Sequence, residues 1–296
     1  MDELGKSPQT KGALVMFFNT DKSRRMNFNG VAASYDQGRP GYPEAMFADL
    51  KKFGALPDPA EPRLPSCLEV GSGSGQATIQ LLPYCQSVDC IEPGPELADM
   101  LAAKFHGNSR ISVHQCDFES FPLRQRYSLV FAASSLHWID PDVAFGKSFD
   151  ALVKGGWLVA VWNTPLLSKR ISEICEQTIR PYDSGFSIPK PSQDVVDFFE
   201  QGYDDFANNR SFVDCRKRAY QERHGLSPEG LANLAWSYAD SSVVPSERRQ
   251  SVFDTLLSGV SSLRIDDMSV VYNYMMACGR SPGNDQEYTQ PQAENP

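Results

Sequence analysis

Apolar and polar positions alternate in a regular order along the chain from Ser66 onward. Short apolar runs, typical of strands buried on both faces, are separated by segments with helical spacing. The predicted strands are 66–70, 87–92, 111–116, 127–135 and 157–163, and the predicted helices are 76–83, 95–105 and 143–153, the last stopped by Gly155 and Gly156. This alternation indicates βαβ units that build a parallel sheet.

The strict alternation ends after Asn163. Residues 165–209 are helix-like with proline-rich breaks, and residues 211–225 could hold a strand. Helices are predicted to begin near Ser227 and Ser246, followed by a final strand over 268–280. The pattern therefore predicts an α/β fold with two more strands beyond an inserted helical region.

Composition indicates where the domain begins and ends. Residues 1–25 are polar and mixed, which predicts a flexible N-terminus, and residues 281–296 have the Pro, Gln, Asn and Glu bias of a disordered tail. Four prolines within 56–65 predict a stiff connector after an N-terminal helical segment. We therefore expect a single domain over 26–280.

The charge balance narrows the class of partner. The chain has 28 Lys and Arg residues against 37 Asp and Glu, which gives a net charge of −9 and argues against a nucleic-acid partner. The apolar run 12–18 is far shorter than the ~20 residues of a membrane span, so no membrane partner is expected. Seven cysteines without a CxxC pair and four histidines without ligand spacing predict reduced thiols, no metal and a cytoplasmic location.

A glycine-rich turn links the first predicted strand to the following helix. Such a turn brings the backbone close to a ligand and directs helix N-terminal N–H groups at it. Its glycines are Gly71, Gly73 and Gly75, and Glu92 ends the next strand, 21 positions beyond Gly71. A carboxylate about 20 residues on is placed to accept hydrogen bonds from ribose hydroxyls. The alternative is a tight structural turn beside a solvated glutamate.

The identity of the nucleotide follows from two residues near the loop. The dinucleotide fingerprint GxGxxG requires glycine at position 76, where this chain has Gln76, so the spacing is GxGxG. Glu69 precedes the loop, and a negative charge there would repel a pyrophosphate but suits an ammonium and a sulfonium group. The residues therefore favour S-adenosyl-L-methionine over NAD.

The sequence EVGSGSG, with Glu92 and then Asp117-Phe118 after the third strand, resembles the motifs of class I S-adenosylmethionine-dependent methyltransferases. A closer resemblance is to methyltransferase type 11, the trans-aconitate methyltransferase-like subgroup. It rests on the YxxxRPxYP segment over 35–43 and on the pair His137-Trp138 after the fourth strand. The chain departs from the subgroup at Ser128, where an aspartate is common, and in its extra tail.

The resemblance implies a Rossmann-like, doubly wound fold with a seven-stranded, mostly parallel sheet. The cofactor half would be 66–163, and an insertion over about 165–225 would form a lid or acceptor region. It also implies a set of cofactor-binding residues: Tyr35, Arg39, Glu69, Gly71, Ser72, Gly73, Gly75, Glu92, Pro93, Asp117, Phe118, Ser134 and Ser135.

Each part of this set has an implied role. The glycine loop would lie under the methionine portion with Glu69 steadying the loop or the amino group, and Glu92 would hold the ribose. Asp117 would take the adenine amino group with Phe118 against the ring. Ser134 and Ser135 would lie beside the sulfonium, while Tyr35 and Arg39 would close over the cofactor.

These roles have structural alternatives. Asp117 could cap a turn, Phe118 could be core packing, and Arg39 could form a surface ion pair of little energetic value. For catalysis His137 is the candidate base, because histidine titrates near neutral pH and the end of the fourth strand borders the methyl group. Alternatively, His137 anchors its loop by a hydrogen bond while Trp138 packs. Aromatic residues that could line an acceptor pocket are Trp138, Trp162, Phe186, Phe198, Phe199, Tyr203 and Phe206.

Three functions remain open from the sequence. The first is methyl transfer to a small-molecule acceptor by in-line displacement, in which proximity and water exclusion are the protein's main contribution. The second is a protein that binds S-adenosylmethionine as a scaffold or in a cyclase role. The third, an NAD-linked oxidoreductase, is disfavoured by Gln76. The acceptor and the oligomeric state are not encoded in a readable motif.

Overall fold

The computed structural model describes most of the predicted domain. The described residues are 40–58, 60–182, 184, 202–204, 206–209, 211–238, 244–264 and 268–283. The predicted site residues Tyr35 and Arg39 lie outside them, as do the predicted flexible terminus, most of the predicted tail and the pocket aromatics Phe186, Phe198 and Phe199.

Strands and helices alternate through the first half, as predicted. The strands are β1 (Cys67–Val70), β2 (Val88–Ile91), β3 (Ile111–His114), β4 (Tyr127–Ala133), β5 (Leu152–Leu166), β6 (Val213–Gly225) and β7 (Ser269–Arg280). The helices are α1 (Glu44–Lys52), α2 (Gln76–Leu81), α3 (Pro95–Lys104), α4 (Pro141–Ala151), α5 (Lys169–Ile179), α6 (Pro228–Trp236) and α7 (Ser246–Ser261), with a 3₁₀ turn at Leu136–Trp138.

The strands form one seven-stranded sheet in the order β3-β2-β1-β4-β5-β7-β6. The pairs β1–β2, β1–β4, β2–β3 and β4–β5 are parallel, whereas β7 runs antiparallel to both of its neighbours. The strand order reverses direction between β1 and β4, and open α/β sheets bind ligands at the carboxyl ends of the strands at such a point. The predicted doubly wound, mostly parallel α/β fold is confirmed.

The boundary between α4 and β5 differs from the prediction. We expected a helix to 153 that Gly155 and Gly156 would stop, but α4 ends at Ala151 and β5 begins at Leu152. The helix starts earlier than predicted because the Asp140 carboxylate caps it, accepting bonds from the backbone nitrogens of Asp142 and Val143 at 3.0 and 3.4 Å.

Strand β5 is also longer than the apolar run that predicted it. Its ladder with β7 continues to the pair Leu166 and Val271, beyond the last pair with β4 at Ala133. An antiparallel partner that is itself long extends the strand past its apolar segment, and a pattern of apolar residues in β5 alone does not contain that information.

Apolar side chains pack on both faces of the sheet. One core joins α1, α2, α5, α6 and α7 to residues such as Cys67, Phe131 and Val159, and the other joins α4 to residues such as Leu68, Val130 and Ala160. Burial on both faces explains why the central strands read as continuous apolar runs. Within the described residues, the search for a helix long and apolar enough to span a membrane finds none.

The segment that precedes α1 is fastened to the sheet and to α2. The backbone N–H of Tyr42 donates to Gln80 Oε1 and the Gln80 amide donates to the Tyr42 carbonyl, both at 2.8 Å. The Tyr274 hydroxyl in β7 donates to the Gly41 carbonyl at 3.1 Å, and the rings of Tyr42 and Tyr274 meet edge to face. The end of the YxxxRPxYP segment is therefore held next to the helix that follows the glycine loop.

Candidate cofactor and methyl-transfer site

The glycine loop between β1 and α2 adopts a backbone that favours glycine at three positions. The φ angles are +69° at Gly71, +56° at Gly73 and +93° at Gly75. A Cβ on Gly71 would lie 2.4 Å from the Ser135 Cβ, so the loop touches the end of β4. A Cβ on Gly75 would come within 2.8 Å of side-chain atoms of α3 and the residue after it. The glycines thus permit a cradle that any side chain would fill.

The Glu92 carboxylate connects this loop to the end of β2. Its Oε2 accepts a hydrogen bond from the Gly73 nitrogen and its Oε1 accepts one from the Gly94 nitrogen, each at 2.8 Å. Pro93, between the two glutamate-held turns, is partly buried, and Glu92 itself is 6% exposed. Each carboxylate oxygen can accept a further bond, so the geometry is compatible with holding a diol.

Glu69 lies beneath the loop rather than on its open side. It is 1% exposed, and its Oε2 accepts from Thr78 Oγ1 at 2.6 Å and lies 3.8 Å from the Cys90 sulfur. Ser72 is also buried and its hydroxyl donates to the Glu69 carbonyl at 3.3 Å. Burial raises the pKa of Glu69 to about 8, so the carboxyl is mostly protonated at pH 7. Its role in the described structure is to fasten α2, and it brings little negative charge to the loop.

The end of β4 supplies two serines with defined contacts. Ser134 has a φ of +54°, its backbone nitrogen donates to the Val161 carbonyl at 2.7 Å, and its hydroxyl donates to Asn163 Oδ1 at 3.5 Å. The Ser135 hydroxyl donates to the carbonyl of Val70, the last residue of β1. The strained backbone at Ser134 turns the chain sharply where the β4 end meets the glycine loop.

His137 lies in the 3₁₀ turn that follows these serines. The Trp162 indole N–H donates to His137 Nδ1 at 3.2 Å, and the His137 ring lies 5.0 Å from that of Trp138. Burial lowers the pKa of His137 to about 4, which keeps the ring neutral at physiological pH. This environment disfavours a general base and fits the alternative in which His137 is hydrogen-bonded in place.

Asp117 and Phe118 follow β3 at the edge of the sheet. The Asp117 carbonyl accepts from the backbone nitrogens of Ser120 and Phe121 at 3.2 and 3.1 Å, so Asp117 begins a turn. Phe118 is 2% exposed and belongs to the core that contains α4, with the Lys147 ammonium 5.4 Å from its ring centroid. The structure therefore places Phe118 in core packing and leaves Asp117 at the neighbouring turn.

The topology brings most of the predicted residues to one edge. The glycine loop, Glu92, Ser134 and Ser135 all follow strands β1, β2 and β4, whose carboxyl ends meet at the reversal of strand order. Among the described residues, no group of three or more His, Cys, Asp or Glu side chains is placed to hold a metal ion. The edge instead offers backbone N–H groups, an acidic acceptor and hydroxyls, which are suited to an organic nucleotide.

Sequence reasoning missed two contributors to this edge. Asn163 accepts from Ser134, and its signal was available, since it is the polar residue that ends an apolar strand. Thr78 holds the Glu69 carboxyl, but a threonine inside an ordinary helical pattern carries no signal that it faces a buried acid.

Comparison with known proteins agrees with the geometry. Residues 68–160 match the model of a methyltransferase domain of the type 11 family. An uncharacterised methyltransferase of Mycobacterium tuberculosis is 28% identical over 234 residues, which cover 77% of this chain and 83% of that protein. Nodulation protein S of Rhizobium tropici is 28% identical over 104 residues, 34% of this chain and 44% of that protein.

Two solved structures were also found to be similar. The N-methyltransferase NodS from Bradyrhizobium japonicum, in complex with S-adenosylhomocysteine, aligns with a TM-score of 0.40 and 14% identity over 80% of this chain and 86% of that one. Phosphoethanolamine N-methyltransferase 2 of Haemonchus contortus, in complex with S-adenosyl-L-methionine, aligns with a TM-score of 0.42 and 20% identity over 82% of this chain and 53% of that one.

The fold and the site define a nucleotide-cofactor-binding α/β enzyme domain. Residues 68–160 are a methyltransferase domain, and the resemblance of the chain to class I S-adenosylmethionine-dependent methyltransferases is confirmed. The cofactor of such a domain is S-adenosyl-L-methionine.

Proposed function

We propose that the protein transfers a methyl group from S-adenosyl-L-methionine to a small-molecule acceptor by in-line displacement. The observation that carries the proposal is the Glu92 carboxylate, which lies under the glycine loop at the reversal of strand order. When bound, the cofactor supplies an activated methyl group on a sulfonium. The contribution of the chain is then to bind, orient and exclude water.

The residues at the edge divide the cofactor between them in this proposal. Gly71, Gly73 and Gly75, with Ser72 buried beneath, leave room for the methionine portion. Glu92, with Pro93 beside it, accepts from the ribose hydroxyls. The observed contacts support these two assignments, because the loop excludes side chains and the carboxylate retains acceptor capacity.

The remaining cofactor assignments rest more on the family resemblance. Asp117 would take the adenine amino group, and Phe118 would support the ring from the core rather than stack on it openly. Ser134 and Ser135 would line the region of the sulfonium. Tyr35 and Arg39, outside the described residues, remain proposed to close over the cofactor.

The acceptor side is assigned more coarsely. The net charge of −9 supports a small molecule over a nucleic acid, and the residues 165–225 stay proposed as the acceptor region. His137, one turn from Ser135, is the residue of the set that we propose contacts the acceptor. The cytoplasmic location expected from the cysteine pattern belongs to the same proposal.

A transfer assay tests this function. The purified chain is incubated with S-adenosylmethionine labelled in its methyl group and with pools of small-molecule acceptors, and labelled products are identified by mass spectrometry. Label in an acceptor, lost in Glu92→Gln and kept in the exposed-site control Asp99→Asn, is the expected result. Binding of S-adenosylhomocysteine without transfer to any pool would contradict methyl transfer and favour the scaffold role.

A further inference from the structure

Trp162 and His137 are joined across the ends of two neighbouring strands. Trp162 is 3% exposed near the end of β5, and His137 lies in the turn after β4. The two side chains meet through the indole nitrogen and the imidazole Nδ1 at 3.2 Å. The pair therefore belongs to the carboxyl edge of the sheet, where the cofactor site lies.

The hydrogen bond determines where the imidazole proton is. An indole N–H can only donate, so the nitrogen that it meets must carry a lone pair. His137 Nδ1 is therefore unprotonated, and a neutral imidazole with an unprotonated Nδ1 carries its proton on Nε2. A ring in this tautomer offers N–H at Nε2, and it has no lone pair there with which to remove a proton.

The position of the turn relates this tautomer to the methyl-transfer site. Ser135, two residues before His137, donates to the carbonyl of Val70, and its Cβ faces the position that a Cβ on Gly71 would occupy. The turn is thus packed directly on the glycine loop. A donor on this turn lies on the side of the cofactor where an acceptor must approach in line with the sulfonium.

We propose that Trp162 is a positioning residue that holds His137 as its Nε2–H tautomer, so that His137 meets the acceptor as a hydrogen-bond donor. It follows that the acceptor brings a nucleophilic atom that is already unprotonated. The lone pair of that atom forms the bond to the methyl carbon, and the electrons of the carbon–sulfur bond go to sulfur. No proton changes hands with the protein in this step. This inference rests on the proposed function.

The tautomer is tested without any activity. The protein is labelled with ¹⁵N in its four histidines, and long-range ¹H–¹⁵N spectra are recorded at pH 7 for the wild type, for Trp162→Phe and for His137→Gln, which assigns the His137 signals. We expect an unprotonated Nδ1 and a protonated Nε2 in the wild type, and a shift of the Nδ1 signal in Trp162→Phe. A protonated Nδ1 in the wild type would overturn the proposal, and so would a Trp162→Phe spectrum identical to that of the wild type.

Kinetics test the donor role. Glutamine can donate from a position close to Nε2, whereas leucine cannot, so His137→Gln should keep most of the turnover and His137→Leu should lose about tenfold or more. A base would be lost equally in both, so equal losses would contradict a donor. Calorimetry with S-adenosylhomocysteine should give unchanged affinity in both variants. If the wild type binds this ligand but no acceptor is methylated, the proposed function fails while the spectra still decide the tautomer.

Discussion

The Glu92 carboxylate lies 2.8 Å from the backbone nitrogen of Gly73, 19 positions earlier in the chain, and accepts its hydrogen bond. The second carboxylate oxygen accepts from Gly94 at 2.8 Å. Glu92 therefore shapes the glycine loop as well as offering acceptors on the side where a ribose would lie. The loop and the acidic residue of the motif act as one unit, because the parallel pairing of β1 with β2 brings their carboxyl ends together.

The contact between Gly71 and Ser135 predicts a severe effect of a single methyl group. Gly71→Ala would combine a positive φ of +69° with a Cβ only 2.4 Å from that of Ser135. We expect a loss of about 3 kcal/mol or more in the free energy of unfolding, measured by urea titration, together with loss of S-adenosylhomocysteine binding.

Gly107 provides the matched control for this prediction. Its φ is +78°, similar to that of Gly71, but a Cβ there would have no neighbour within 4 Å. Gly107→Ala should therefore show the backbone strain alone, about 1 kcal/mol, with cofactor affinity intact. Equal losses in the two variants would mean that the close packing of the loop on β4 is not what the glycine provides.

The buried Glu69 predicts a particular dependence of stability on pH. Its pKa rises from 4.5 to about 8 on folding, so the folded state favours the protonated form. The resulting stabilisation is present in full below about pH 4.5 and is lost as the pH rises toward 8. Glu69→Gln cannot ionise and can still bond to Thr78, so it should be more stable than the wild type at pH 7, by on the order of 3 kcal/mol.

Urea unfolding at several pH values between 4.5 and 8 measures this difference. The stability gap between Glu69→Gln and the wild type should widen as the pH rises, whereas the exposed Asp99→Asn should show no such trend. A gap that stays constant, or that widens toward low pH, would show that Glu69 is ionised beneath the loop.

The paired hydrogen bonds between Gln80 and Tyr42 predict the strength of the N-terminal attachment. Gln80→Ala removes the partners of both the N–H and the carbonyl of Tyr42, which is 8% exposed. The expected cost is about 2 kcal/mol, and the Tyr42 amide should exchange with deuterium faster than in the wild type. Its neighbour Ile79 is 57% exposed, so Ile79→Ala serves as the control and should change neither measurement. Unaltered exchange in Gln80→Ala would mean that other contacts hold the segment.

Local pattern predicted the parts of the molecule that depend on neighbours in the chain. The apolar run at Cys67–Val70, the glycines after it and Glu92 all follow from short segments, and the sheet topology then brings them together. What pattern did not predict depends on contacts between distant segments. The charge state of Glu69 is set by Thr78 and Cys90, and the tautomer of His137 is set by Trp162, 25 positions away.

The central claim is that the carboxyl edge of β1, β2 and β4 binds S-adenosylmethionine through the glycine loop and Glu92. Calorimetric titration with S-adenosylhomocysteine tests it most directly, on the wild type, on Glu92→Gln and on the exposed-site control Asp99→Asn. We predict binding to the wild type and the control, with the dissociation constant raised at least about tenfold in Glu92→Gln. Equal affinity in all three proteins, or binding of NAD with none of S-adenosylhomocysteine, would contradict the account.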